Sequence, residues 1–327
     1  MIDFRYHLVS LVSVFIALAV GIVLGAGPLK ESLGNTLKGE VEDLRQDRES
    51  LKVELDRLET SQRHRDDFIV DIRPSLVGQR LGGRSVVVVA LPGIDGESVK
   101  SLTEALKDAG ATVTGRVDVA EAWSSPAKSA FREQLAAQLQ AGLGTAAGTG
   151  DTSEQLAALL ARAVVTGDLA ASGKLDATAK TLLEGLTSAD LVSVDDDLDS
   201  RATEAVVLAP PVTAATATTS VTTSDAAEAT VISWRTLAAT LDEASDGAVV
   251  LGPASSAADG GLVAAVRAKS DLGSKLSTVD TGGTPMGPVS TVLALSEQLR
   301  GLAGDYGFGE GADDVLPELA DAGSGQS

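Results

Sequence analysis

From Leu8 to Leu29 the chain runs for 22 residues without a charged side chain. At about 1.5 Å per residue, a helix of that length covers the roughly 30 Å hydrocarbon core of a bilayer. Lipid offers the backbone no hydrogen-bond partner, so a lone segment in it satisfies its amides only as a helix. A cleaved signal peptide is the competing reading. Its apolar region is usually about 7–15 residues behind a basic start, whereas here the run is longer and Arg5 is offset by Asp3. The expectation is a retained transmembrane anchor at 8–29 behind a short head at 1–7. Small residues recur along it at Ser10, Ser13, Ala17, Gly21 and Gly25. The Gly21-x-x-x-Gly25 spacing, extended back to Ala17, lets two membrane helices approach backbone to backbone, which predicts self-association.

After Pro28 the periodicity changes. Leu37, Val41, Leu44, Arg48, Leu51, Leu55, Leu58, Gln62, Arg65, Ile69 and Ile72 alternate four and three residues apart. That is an a/d heptad seam over about five heptads, narrower than the apolar face of a helix lying on its own domain. Both charge signs fill the flanks. The spacing predicts a coiled-coil stalk at 30–76, continuing in parallel from the anchor. A parallel dimer follows, with Ala17, Gly21, Gly25, Leu37, Val41, Leu44, Leu51, Leu55 and Leu58 as its contact positions. Pro74 and the glycines at 78, 82 and 83 end the helix.

The remainder alternates between two patterns. Ser85–Leu91 is a β-branched run typical of a strand buried on both faces of a parallel sheet. A polar loop, Pro92–Gly96, leads to a helix near Glu97–Ala109, and Thr112–Val117 reads as the next strand. Helical patterns follow at about Ala127–Leu143, Ser153–Val165, Ala177–Leu186, Trp234–Ala244, Gly261–Lys269 and Val289–Arg300. Apolar strand segments lie at Leu191–Val194, Ala205–Leu208, Ala248–Leu251 and Leu276–Val279. Five or six strands alternating with helices predict a Rossmann-like three-layer α/β domain, residues 84–308. The Ala/Thr-rich segment Thr213–Thr230 reads as a loop or edge insertion. The Gly- and Ser-rich end, 309–327, reads as disordered.

Charge narrows the partners. The net charge is −20, and residues 81–327 hold 33 acidic against 15 basic side chains. Such a domain repels nucleic acid and anionic headgroups, so no nucleic-acid partner is expected. Basic residues flank the anchor on both sides, so the positive-inside rule is nearly silent. A short head before a long acidic tail places the tail outside the cell, in a single-pass protein of the cytoplasmic membrane.

Chemistry has little to work with. Cysteine is absent, which removes disulfides, thiolate catalysis and thiolate metal sites. The two histidines are His7, beside the anchor, and His64, in the stalk, so the α/β region has none for a Ser-His-Asp arrangement. Two glycine-bearing loops follow strands, where α/β sheets bind ligands. Gly93, Asp95 and Gly96 lie on the first, Gly282 and Gly283 on the second. Neither carries G-x-G-x-x-G or a P-loop lysine, and plain turns are the simpler reading. Asp195, Asp196, Asp197 and Asp199 offer carboxylates to a hard cation, but solvated acids explain them as well. No cofactor, resident metal or catalytic residue is expected.

Certain segments resemble a known family. Met1-Ile2-Asp3-Phe4-Arg5-Tyr6-His7-Leu8-Val9-Ser10-Leu11, with Gly21-Ile22-Val23-Leu24-Gly25, is similar to the amino terminus of the actinobacterial MctB family, often labelled copper transporter. Ser277-Thr278-Val279-Asp280, Ala294-Leu295-Ser296-Glu297-Gln298-Leu299 and Tyr306-Gly307-Phe308-Gly309 resemble its closing pattern, with Asp305 where a histidine is expected. The resemblance implies a part in keeping cellular copper low, with a proposed outer-membrane pore. Copper(I), however, prefers thiolate, thioether and imidazole, and the chain has no Cys, two Met and two His. A membrane barrel also needs many alternating ten-residue strands. Corynebacterial members called SteB imply a different role, as envelope proteins that act with a membrane partner, SteA, on a septal peptidoglycan hydrolase. A non-catalytic scaffold of that kind suits a dimeric anchor, a stalk and an acidic domain. A small-anion binding module is a third reading.

Overall fold

The computed structural model describes residues 4–26, 28–142, 150–195, 198–212, 221–268 and 276–318. It divides into two compact units, Met1–Arg65 and Asp66–Ser327. In the first, α1 spans Phe4–Ala26, and α2 spans Pro28–Val77 and continues into the second unit. Within α1, Phe4–Gly25 has a mean hydropathy of 2.7 and fits a membrane anchor by length and composition. Ala17, Gly21 and Gly25 fall on one face, and the positions a Cβ would take at both glycines are open.

The second unit is a mixed α/β fold around a seven-stranded sheet. Its elements are β1 (Ser85–Ala90), α3 (Gly96–Asp108), β2 (Thr112–Val119), α4 (Ser129–Gly142), α5 (Thr152–Val164), α6 (Ala177–Ser188) and β3 (Val192–Val194). Then come β4 (Glu204–Leu208), α7 (Val221–Glu243), β5 (Ala248–Leu251), α8 (Leu262–Arg267), β6 (Ser277–Val279), α9 (Met286–Gln298) and β7 (Asp305–Tyr306). The strand order is β3-β2-β1-β4-β5-β6-β7. Every neighbouring pair is parallel except β2 with β3. Alternate residues of the β-branched strands feed two cores. Val87, Val89, Val207 and Val250 pack under α5, α6, α7 and α8. Val86, Val88, Val206 and Val249 pack under α3 and α9, together with Val77 at the end of α2 and Leu81 in the turn beyond it. The result is the expected three layers, helices covering a parallel sheet on both faces.

The end of α2 belongs to that second core. Arg73 is buried, and its Nε donates to Asp108 Oδ2 at 2.7 Å. Ile69 and Leu76 lean on the same cluster. Pro74 sits inside the last turns, and the helix closes as Gly78 N donates to Pro74 O at 3.0 Å.

Three expectations need correction. The Ala/Thr-rich segment is helical from Val221 onward, because its alanines favour helix despite the threonines; residues 213–220 lie outside the described residues. The segment Val192–Val194 runs antiparallel to β2, and a seventh strand, Asp305–Tyr306, extends the other edge. The tail expected to be disordered is held down as far as Glu318: Gly307 N donates to Asp314 O at 2.9 Å, and Glu318 N to Glu297 Oε1 at 2.9 Å. Residues 319–327 lie outside the described residues.

Candidate functional site

From β1 the chain moves outward through α3 to β2, whereas from β4 it moves the other way through α7 to β5. Loops leaving the carboxyl ends of β1 and β4 therefore diverge, and in doubly wound sheets that divergence makes a crevice. A cavity of about 430 Å³ occupies it here. Gly93, Ile94 and Asp95 after β1, Ala209 and Pro211 after β4, Gly252 and Pro253 after β5, and Gly282, Gly283 and Thr284 after β6 contribute its walls. Four of the five loop residues singled out from the sequence, Gly93, Asp95, Gly282 and Gly283, thus line one cavity. Gly96 instead opens α3 beside it.

Two glycines have a geometric reason. A Cβ on Gly282 would lie 2.6 Å from the carbonyl carbon of Gly252, so the β5 and β6 loops meet backbone to backbone. Gly282 N donates to Gly252 O at 2.8 Å across that contact. Gly93 turns the chain at a φ of +95°, a conformation glycine adopts without strain.

The charge of the crevice decides what it accepts. Asp95 caps α3: its Oδ1 accepts Ser98 N at 2.7 Å and its Oδ2 accepts Ser98 Oγ at 3.0 Å. Those two bonds hold its carboxyl below the usual carboxylate range. The helix terminus that would greet a phosphate is already occupied by a carboxylate. Glu97 adds a second acid, and no Lys, Arg or His is among the described lining residues. This geometry opposes an anionic ligand and suits a neutral or cationic one.

A second constellation lies beyond β6. Asp280 follows β6 and is buried; its Oδ1 accepts Phe308 N at 2.9 Å and its Oδ2 accepts Gly309 N at 2.8 Å. Arg267, at the end of α8, places Nη1 3.0 Å from Asp280 Oδ2 and Nε 2.9 Å from Thr278 Oγ1. Its remaining donors reach Tyr306 O and Glu310 O, each at 3.0 Å. Tyr306 donates its hydroxyl to Glu297 Oε2 on α9, and burial together with that carboxylate pushes the phenol up. Thr278 Oγ1 donates to Asp305 Oδ1 at 2.5 Å; burial raises that carboxyl. A Cβ on Gly307 would lie 1.8 Å from Asp280 Oδ1, so only glycine lets the strand pass the carboxylate.

Nothing in the sequence announces Arg267 as the centre of this clasp. The buried Glu204 was likewise missed: at the start of β4, both its oxygens lack a partner among the described residues, and burial pushes its carboxyl up to about 8. Of the four aspartates considered for a cation, Asp196 and Asp197 lie outside the described residues. Among the described residues, no group of three His, Cys, Asp or Glu is placed to hold a metal ion.

Residues 1–317 match the family described as "Copper transport outer membrane protein, MctB". The chain belongs to the MctB family. Proteins named "Copper transporter MctB" from Mycobacterium bovis and Mycobacterium tuberculosis are 29% identical to it over 320 residues, covering 96% of this chain and 99% of theirs. A Mycobacterium leprae protein of the same name is 29% identical over 326 residues. The three carboxyl-terminal segments on which the MctB resemblance rests supply Asp280, Glu297, Tyr306 and Gly307, and the fold gathers all of them into the one clasp.

Proposed function

We propose that this MctB-family chain is a non-catalytic, single-pass scaffold of the cell envelope. Two copies are joined through anchor and stalk, and the head acts by contacting other envelope proteins. The anchor lies in the cytoplasmic membrane and the head outside it. The partners by analogy are a SteA-like membrane protein and a peptidoglycan hydrolase at the septum.

One observation carries this reading. The titratable side chains in the family's closing segments, Asp280, Glu297 and Tyr306, are engaged with Arg267, with one another and with backbone amides, so they hold the head together rather than standing poised for chemistry. The head offers no Cys or His for nucleophilic chemistry, and the hydroxyl–carboxylate pair in the crevice, Ser98 with Asp95, is engaged in capping α3. Crosslinked pull-down of the full-length protein from membranes tests the proposal. It expects a wall hydrolase among the captured proteins, and chained, poorly separated cells on deletion. Normal separation with no hydrolase captured overturns it.

A copper role is the second reading, and it rests on the name the relatives carry. The donors fit poorly. Soft copper(I) wants sulfur or imidazole, and the chain offers Met1, Met286, His7 and His64. That reading predicts copper sensitivity on deletion and metal bound stoichiometrically to the purified protein. A small-anion module is disfavoured by Asp95 and Glu97 at the crevice.

A further inference from the structure

We infer that α2 pairs with a second copy of itself in parallel and in register over Leu37–Arg65, an arrangement selected by the charges beside its seam. The inference rests on the dimeric scaffold reading and fixes its direction and alignment. Every residue from Leu37 to Arg65 is exposed, including the seam leucines 44 and 51 at 67% and 65%. The next seam position, Ile69, is covered by the core of the head. The uncovered stripe therefore stops where the chain's own fold begins to bury it.

The heptad letters follow from the spacing. Leu37, Leu44, Leu51, Leu58 and Arg65 are d, and Val41, Arg48, Leu55 and Gln62 are a. The e positions are then Lys38, Arg45, Lys52 and Glu59, and the g positions Glu40, Asp47, Glu54 and Ser61. In a parallel pair each g residue faces the e residue five positions further along the other helix. Glu40 then meets Arg45 of the partner subunit, and Asp47 meets Lys52 of the partner subunit. An antiparallel pair over the same heptads sets g against g and e against e, placing acid on acid and base on base, which is unfavourable.

The stalk is not optimised throughout. Glu54 meets Glu59 of the partner subunit, and Arg48 and Gln62 are polar at a, which specifies register at a loss of stability. Membrane tethering offsets that weakness by raising the effective concentration of one stalk beside the other.

The absence of cysteine makes the test direct, because any introduced thiol is the sole one. Full-length single-cysteine variants are oxidised mildly in membranes, and disulfide-linked dimer is quantified on gels. Leu44→Cys and Leu51→Cys are expected to crosslink at least fivefold more than Gln46→Cys, which sits at an outer f position. Glu40→Lys with Asp47→Lys in the Leu44→Cys chain should lower the yield about fivefold. Adding Arg45→Glu and Lys52→Glu should restore it to within twofold. All these sites are exposed, so the head keeps its fold. Preferential crosslinking between co-expressed Leu37→Cys and Leu55→Cys chains indicates an antiparallel pair and overturns the inference while leaving a dimer standing. Seam yields no higher than that of Gln46→Cys overturn the inference and the dimeric reading together.

Discussion

One helix meets two fates. Along α2 the seam leucines from 37 to 58 stand exposed, while Val77 at the far end of the same helix is fully buried with Leu102 and Leu106 of α3. The heptad spacing does not distinguish these stretches, since Ile69 continues the register of Leu55 and Gln62. A periodic apolar stripe states that a face is to be covered; what covers it depends on topology. At the second stretch the cover is the core of the same chain's head, where Asp108 of α3 holds Arg73. At the first it is, by our inference, another stalk.

Substitutions sharpen that contrast, and the two tryptophans, both in the head, report its unfolding without a label. The largest effect is expected at Asp280→Ala. It takes from the buried Arg267 its nearer carboxylate, leaving only Asp305 at 3.7 Å, and strips the acceptor from two amides, so unfolding should become easier by about 3–5 kcal/mol. In thermal melts followed by tryptophan fluorescence that corresponds to a fall of roughly 10 °C for a unit of this size.

The same residue type then probes both stretches. Leu102→Ala should destabilise the head by about 2–5 kcal/mol, as buried leucine truncations do. Leu51→Ala should leave head unfolding within about 0.5 kcal/mol, as exposed substitutions do. Equal losses at both sites in urea titrations would break the distinction.

Glu204 gives a smaller, pH-dependent effect. Its carboxyl keeps a proton in the folded head up to about pH 8 but releases it near 4.5 when unfolded. Folding therefore takes up a proton within that window, and stability falls as pH rises from 4.5 to 8. Glu204→Gln should flatten this dependence and raise stability at pH 8 by about 1–3 kcal/mol, measured by melts across pH. Among the substitutions expected to weaken the head, Asp95→Ala is the mildest, loss of the α3 cap amounting to about 1 kcal/mol.

The layers of the head were legible in its residues because each long strand is β-branched and each helix is bounded by turn residues. Short edge strands escaped, since Asp305–Tyr306 has too few residues to show a period. The Val221–Glu243 helix was half hidden because threonine suggests strand where alanine supports helix. Both glycine loops were visible, but that they line one crevice is set by the fold, since β4 and β5 stand between β1 and β6 and the crevice runs across the carboxyl ends of all four strands. The clasp was the least legible part. Its bonds join Arg267, Asp280, Glu297 and Tyr306 by fold rather than by motif spacing, and no local pattern marks a residue as partner to a distant amide.

The dependence of Arg267 on so late a stretch sets a condition on biosynthesis. Until Tyr306 and Glu310 have been made, two of the acceptors for its guanidinium do not exist, and neither do the Phe308 and Gly309 amides that complete Asp280. A nascent or truncated copy ending before them carries an unfinished ionic centre beside an open sheet edge. Completion of the polypeptide is thus the step that closes the ionic centre and the sheet edge together.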